Sequence, residues 1–401
     1  MKEAIHHGLM GILKLLAKLL PIPRPIAFTG EGAARKLCAA IAQMGSRHVL
    51  LVTDATLVGL GLHEETVAAL EEGGVEVTIF DGVEPDPTDV QVRAGLTCLH
   101  DAGCDAVLAF GGGSPIDAAK VISVLATHPV PIRKLVGFLK IKRPGLPFFA
   151  IPTTAGTGSE VTVAAVISDP ETHLKTPVID PKLVPQMTAL DPTLMAGMPP
   201  AVTADTGLDA LTHALEAYLS RNAMPETDGF ARAAVRLIFA HLPRAWADGR
   251  DLVAREAMAM ASFYAGLAFT KASVGYMHAI AHSFGAHYGT PHGRANAIVM
   301  PHILEFSKGP AAGRLAELAR VLDLGSTEQT EDELAEQFLV EVRALLTGLE
   351  IPDHLDDLRR TDIPQIASEA LKEGHYNYPV PRYMHRQQCE QILADMLPTG
   401  A

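Results

Sequence analysis

Short apolar runs alternate with helix-length stretches along the first half of the chain. Residues 48–52 (HVLLV), 75–80 (VEVTIF), 106–110 (AVLAF) and 148–151 (FFAI) are each strand-sized. Most are apolar throughout, the pattern of strands covered on both faces. Helical stretches of about 10–15 residues separate them, which predicts right-handed crossovers and a mostly parallel sheet. Beyond residue 194 the period changes. Residues 204–220, 228–240, 251–269, 277–287 and 315–322 read as helices, and no strand is predicted there. The pattern therefore divides the chain into an α/β region, residues 26–194, and an all-helical region, residues 195–401.

The N-terminal 25 residues follow neither pattern. Residues 9–20 read LMGILKLLAKLL, with Lys14 and Lys18 on one helical face. The stretch is too short to span a bilayer and has no small-residue cleavage site. It predicts an amphipathic helical extension over residues 1–25 that packs on its own chain or a partner subunit. Attachment to a membrane surface is the alternative.

Composition changes this picture in two ways. A 401-residue chain with 48% hydrophobic residues can bury two cores. The formal net charge of −13 excludes nucleic acid as an expected partner, because no Lys/Arg cluster counters the repulsion of a phosphate backbone. The four cysteines, Cys38, Cys98, Cys104 and Cys389, form no CxxC pair. Free thiols in a reducing cytoplasm are expected.

Candidate chemistry sits at the strand ends. The third strand runs into Gly111, Gly112, Gly113, Ser114, Pro115, Ile116 and Asp117. Glycines admit a close ligand, Ser114 is a candidate N-cap and Pro115 suits the first helical position. Free amides and the helix dipole there favour a pyrophosphate, though an ordinary strand-to-helix turn has the same pattern. The next strand runs into Thr153, Thr154, Ala155, Gly156 and Thr157, a second hydroxyl-rich loop. Asp54 ends the first strand, where an acid can accept from a ribose diol or cap the following turn.

In the helical half, Asp209 and His213 are four apart, as are His278 and His282, and His292 follows in a TPHG segment. Each i,i+4 pair lies on one helical face. A carboxylate with several imidazoles suits Fe²⁺ or Zn²⁺, and the absence of cysteine ligands argues for a catalytic site. With 17 histidines, any one of these also fits a core position.

Four segments taken together resemble the iron-dependent (group III) alcohol dehydrogenases: GGGSPIDAAK (111–120), PTTAGTGSEVT (152–162), DALTHALEAY (209–218) and HAIAHSFGAHYGTPHGRANAIVMPH (278–302). Lactaldehyde reductase and 1,3-propanediol dehydrogenase belong to that family. The resemblance implies an α/β dinucleotide-binding domain with a Rossmann-like parallel sheet, followed by an all-α metal-binding domain, an architecture also found in dehydroquinate synthase. It implies Fe²⁺, or Zn²⁺, held by Asp209, His213, His278 and His292. It implies NAD bound by Asp54, Asp86, Gly111, Gly112, Gly113, Ser114, Asp117, Thr153, Thr154, Thr157 and Lys175. His282 becomes the proton-transferring group near the nicotinamide, and Ala164, Val166 and Phe269 become the substrate pocket. The implied reaction moves a hydride between a primary alcohol, its oxygen on the metal, and NAD. A homodimer or larger homo-oligomer is implied as well.

Two departures stand out. Asp86, in Pro85-Asp86-Pro87, occupies a position where close relatives often carry Asn. Ala164 replaces a polar pocket residue of lactaldehyde reductase, which points away from diols. A 4-hydroxybutyrate-type hydroxyacid dehydrogenase is the nearest alternative and needs a cationic pocket residue. A dehydroquinate synthase-like lyase needs several basic site residues, yet residues 278–292 contain no Lys or Arg. A non-catalytic NAD-binding protein would have lost a metal ligand, and all four are present.

Overall fold

The structure is a computed structural model that describes residues 6, 8, 10, 11, 21–168, 175–326 and 328–398. Two compact units emerge. One comprises residues 21–198 and 250–259, the other residues 1–20, 199–249 and 260–401.

The first unit runs β1 (Ile26–Thr29), α1 (Ala33–Gln43), β2 (His48–Val52), α2 (Ala55–Gly59), α3 (Glu64–Glu72), β3 (Glu76–Phe80), α4 (Asp89–Ala102), β4 (Ala106–Gly111), α5 (Gly113–Thr127), β5 (Gly137–Phe138), β6 (Phe148–Pro152), β7 (Ala164–Ser168), β8 (Lys175–Ile179) and β9 (Met187–Leu190). Six strands form one sheet in the order β1-β9-β6-β4-β2-β3, with every pairing parallel. The sheet is covered on both faces. Val49, Leu51, Leu108 and Phe110 pack with Leu37, Ile41 and Leu70 of α1 and α3. Leu50, Val52, Val107 and Ala109 point the other way, towards Ile116 and Ile122 of α5 and Val92 and Leu99 of α4. Period-two alternation with both sets buried explains why these strands read as continuous apolar runs.

All four predicted strands are present. Five more were not predicted. Among them, β7 and β8 pair antiparallel and join β5 in a separate three-stranded sheet. β5 is two residues long, β7 alternates between buried and half-buried positions, and β8 contains Pro177. Their sequences carry too weak a signal to stand apart from loops.

The second unit contributes α6 (Pro200–Leu219), α7 (Pro225–Ala247), α8 (Leu252–Ala272, whose first residues group with the other unit), α9 (Tyr276–Tyr288), α10 (His292–Val321), α11 (Glu331–Gly348), α12 (Ile363–Asn377) and α13 (Arg386–Asp395). No strand occurs here among the described residues, as expected. The prediction of a helix over 315–322 falls far short, because α10 is 30 residues long and runs through Pro301 and Pro310. Prolines ordinarily end a helix, so its extent was hidden. Helices α11, α12 and α13 were not predicted, although Thr330 and Glu333 form a capping box at the start of α11.

The predicted N-terminal helix lies almost wholly outside the described residues. Of it, His6, Gly8, Met10 and Gly11 are helical. His6 and Met10 are buried, and the His6 ring sits 2.8 Å from the His375 carbonyl. No helix among the described residues is long and apolar enough to cross a membrane.

Candidate metal centre and coenzyme cradle

The order of strands places three loops side by side. β4 lies between β2 and β6, so Asp54, the 111–117 segment and the 153–157 loop follow the carboxyl ends of three adjacent strands. The chain leaves β2 towards β3 on one side, and β4 pairs on the other. This is a topological switch point, where open α/β sheets bind ligands. The two glycine- and threonine-rich loops meet there: the Thr153 N–H donates to the Gly111 carbonyl at 3.0 Å. Gly111 has φ +149°, and a Cβ there would lie 2.7 Å from the Pro115 ring.

The cap of α5 differs from the expectation. The helix starts at Gly113 with Gly112 as N-cap, and no side chain caps it. Ser114 and Pro115 fall inside the first turn instead. Its first-turn amides are therefore not consumed by a serine hydroxyl. Asp54 takes the capping role that the sequence left open, with Oδ1 accepting from the Leu57 N–H at 3.0 Å. Asp86 is exposed with φ 56°, a left-handed conformation that Asp tolerates better than most residues. Lys175 begins β8, opposite Ser168.

Asp117 turns inward. Its Oδ1 accepts from the Ser159 hydroxyl at 2.5 Å, and its Oδ2 accepts from the Val166 N–H at 2.8 Å. Lys120, one turn on, is fully buried and donates to Ser159 Oγ, Thr162 Oγ1 and the Ala164 carbonyl. Burial lowers this lysine to about 8, and burial lifts the nearby Glu160 carboxyl to about 7. Asp117 and Lys120 thus tie α5 to the 153–162 loop and to β7, which carries Ala164 and Val166.

In the helical unit, Asp209, His278 and His292 converge. One ligand atom from each lies within 4.8 Å of the others. His292 Nε2 is 3.5 Å and His278 Nε2 3.9 Å from Asp209 Oδ1. His213 flanks this triplet: its Nδ1 is 3.9 Å from Asp209 Oδ2, and its ring stacks on His278 and on Phe269. Gly293 permits the approach, since a Cβ there would fall 2.1 Å from the Asp205 carbonyl of α6. Asn296 Nδ2 donates to Asp209 Oδ1 at 2.9 Å.

Three features fit this cluster to a divalent ion. Its donors are one carboxylate and imidazoles, the set that Fe²⁺ and Zn²⁺ accept. His278 Nε2 is buried without a hydrogen-bond partner, so it faces the cluster as an open donor atom. Burial, then the neighbouring His213, His292 and His282 rings, hold His278 well below its ordinary value, which keeps it the neutral imidazole that a metal requires.

His282 stands apart from the triplet. Its ring stacks on His292, and its Nδ1 lies 2.8 Å from Glu373 Oε1. Glu373 also accepts from the Tyr378 hydroxyl. Burial would raise the Glu373 carboxyl, but the His282 and Tyr378 contacts outweigh it and leave it below the usual range.

Sequence reasoning missed Glu216, Asn296, Glu373, Tyr378 and Lys120. Glu216 was within reach, because it continues the Asp209/His213 stripe of α6 by one further step of three. Lys120 stood inside the GGGSPIDAAK segment. Glu373 lies 91 positions from His282, and no local pattern links the two.

A glycine-rich strand end on a parallel sheet and an Asp/His cluster on helices thus occur in the same chain. Residues 24–192 match the family described as iron-containing alcohol dehydrogenase, and residues 203–397 match its C-terminal part. The chain belongs to the iron-containing alcohol dehydrogenase family. It is 41% identical to the 1,3-propanediol dehydrogenase of Klebsiella pneumoniae, over 87% of this chain and 91% of that one. It is 38% identical to the NAD-dependent methanol dehydrogenase of Bacillus methanolicus, over 93% and 98%. Among solved structures, a 1,3-propanediol oxidoreductase superposes with TM-score 0.91 at 39% identity, covering 94% of this chain and all of that one.

Proposed function

We propose that this enzyme transfers a hydride between a primary alcohol or aldehyde and NAD(H), with Asp209, His213, His278 and His292 holding a divalent ion, Fe²⁺ or alternatively Zn²⁺. The observation that carries this reading is the convergence of buried Asp209 and His278 with half-buried His292 in a member of this family. When bound, the ion supplies Lewis acidity that favours negative charge on the substrate oxygen. The chain's own residues do the rest. Gly111, Gly112, Gly113, Ser114, Thr153, Thr154 and Thr157 receive the pyrophosphate, supported by their position at a topological switch point. Asp54 meets the ribose and selects NAD(H) over NADP(H), while Asp86 and Lys175 complete the coenzyme contacts. Asp117 acts on the coenzyme indirectly, through the loop it ties down. His282 takes up the proton released from the alcohol. Its support is the Glu373 contact, which engages Nδ1 and leaves Nε2 for exchange.

Ala164, Val166 and Phe269 form the substrate pocket in this reading. None offers a side-chain hydrogen bond to a second hydroxyl. Each added methylene then gains roughly 0.8 kcal/mol, or up to about fourfold in kcat/KM, until the pocket is full. A diol loses roughly 1–3 kcal/mol by desolvating its second hydroxyl without a partner. The relatives' names span methanol and 1,3-propanediol, so the family alone does not choose a substrate. The enzyme is further assigned to the cytoplasm and to a homodimer or larger homo-oligomer. Its free cysteines support a reducing compartment, and Ile26, 64% exposed on the edge strand β1, supports a partner subunit.

The test is NAD⁺ reduction by the Fe²⁺- and Zn²⁺-reconstituted enzyme across methanol to octanol, with 1,2- and 1,3-propanediol alongside. Rates should climb to medium chain lengths, exceed both diols, and vanish in the metal-free protein. Metal-independent activity would overturn the metal assignment, and faster diol turnover would overturn the apolar pocket.

A further inference from the structure

The strongest unassigned group is a carboxylate behind the metal cluster. Glu216 is buried on α6, two turns after Asp209 and one after His213. Its Oε2 accepts from the Gly275 N–H at 2.7 Å and sits 2.6 Å from His278 Nδ1, while its Oε1 accepts from the Met277 N–H at 2.7 Å. Burial pushes this carboxyl up to about 8 even though the hydrogen-bond donors around it favour the anion. Two of the donors are backbone N–H groups at the start of α9, where the helix dipole also favours negative charge. The chain is built around the contact: a Cβ at position 275 would come within 2.9 Å of Glu216 Oε1.

We infer that Glu216 is a positioning residue that fixes the His278 ring for metal binding. The inference rests on the reading that His278 is a ligand. A carboxylate opposite Nδ1 requires the ring hydrogen there, so Nε2 keeps its lone pair. That nitrogen is the buried, unpartnered atom within 3.9 Å of Asp209 Oδ1. The same carboxylate pins the start of α9, so ring orientation and helix position are set together. A hydrogen-bonded carboxylate also raises the basicity of an imidazole ligand, and loss of such partners typically weakens metal affinity 10–100-fold.

The experiment measures Zn²⁺ affinity by competition with a chromogenic chelator. It compares the full-length protein with Glu216→Gln, Gly275→Ala and His278→Ala, and records the thermal midpoint of each metal-free form. Glu216→Gln replaces one acceptor oxygen with an amide group and cannot accept from all three donors. Gly275→Ala displaces the carboxyl group without removing it from the chain. Both should bind Zn²⁺ about 10–100-fold more weakly, and His278→Ala should lose the site. If His278→Ala loses Zn²⁺ while both other variants bind within about twofold of the parent, Glu216 is a structural cap only and the inference fails. Full Zn²⁺ affinity in His278→Ala would instead overturn the ligand assignment beneath it. Should Glu216→Gln not fold, Gly275→Ala carries the same comparison.

Discussion

Asp54 spends one carboxylate oxygen on the Leu57 N–H at the start of α2. Glycine is the informative replacement, because it remains a serviceable N-cap and costs only a few tenths of a kcal/mol. Asp54→Gly should therefore fold as the parent does but lose its preference for NAD(H) over NADP(H) by about tenfold or more, about 1.4 kcal/mol. The kcat/KM values with both coenzymes measure it, and an unchanged ratio would remove Asp54 from coenzyme selection. Residues differ in how legible they were. Asp209 and His213, like His278 and His282, stood out by helical spacing, and the fold brings Asp209, His278 and His292 together with His213 beside them. Spacing could not say that His282 would face Glu373, because that contact is made by tertiary packing of α9 on α12. Nor could it decide that Gly112, not Ser114, caps α5. That choice depends on where β4 stops.

Elements were legible where burial is two-sided or amphipathicity long. β2, β4 and β6 are apolar runs because helices cover both sheet faces. β7 was not, yet it carries two of the proposed pocket residues and is held by Asp117 and Lys120 of α5. This buried junction has a consequence for pH. Burial raises Glu160 to about 7 from an ordinary carboxyl value near 4.5, so its stabilising protonated form is fully present below about pH 4.5 and lost as pH rises through 7. Lys120, lowered to about 8, contributes in the opposite sense, with stability recovering above that pH. Glu160→Gln should remove the first leg. Between pH 4.5 and 7 the parent should lose roughly 1–3 kcal/mol that the variant keeps. Urea unfolding at both pH values checks this, and parallel pH profiles would exclude Glu160 as the cause.

At the scale of the whole molecule, two units divide the work. The sheet unit carries the strand-end loops to which the proposed function assigns the dinucleotide, and backbone amides can hold its phosphates even in a chain of net charge −13. The helical unit gathers side chains from α6, α9 and α10 into one cluster, buried at Asp209 and His278 and half-buried at His292, and long helices hold such donors more rigidly than loops do. The change of hydrophobic period near residue 194 falls just after β9, the last strand among the described residues. The length of α10 stayed hidden behind Pro301 and Pro310, although its first residue, His292, is one of the converging donors. The central claim is that these donors share one metal ion. Anomalous diffraction at the iron and zinc edges, from crystals of the reconstituted enzyme, tests it most directly. The account predicts one strong peak at bonding distance, about 2.0–2.2 Å, from Asp209, His213, His278 and His292. A metal-loaded, active crystal with its peak elsewhere, or with His278 outside the coordination sphere, would contradict it.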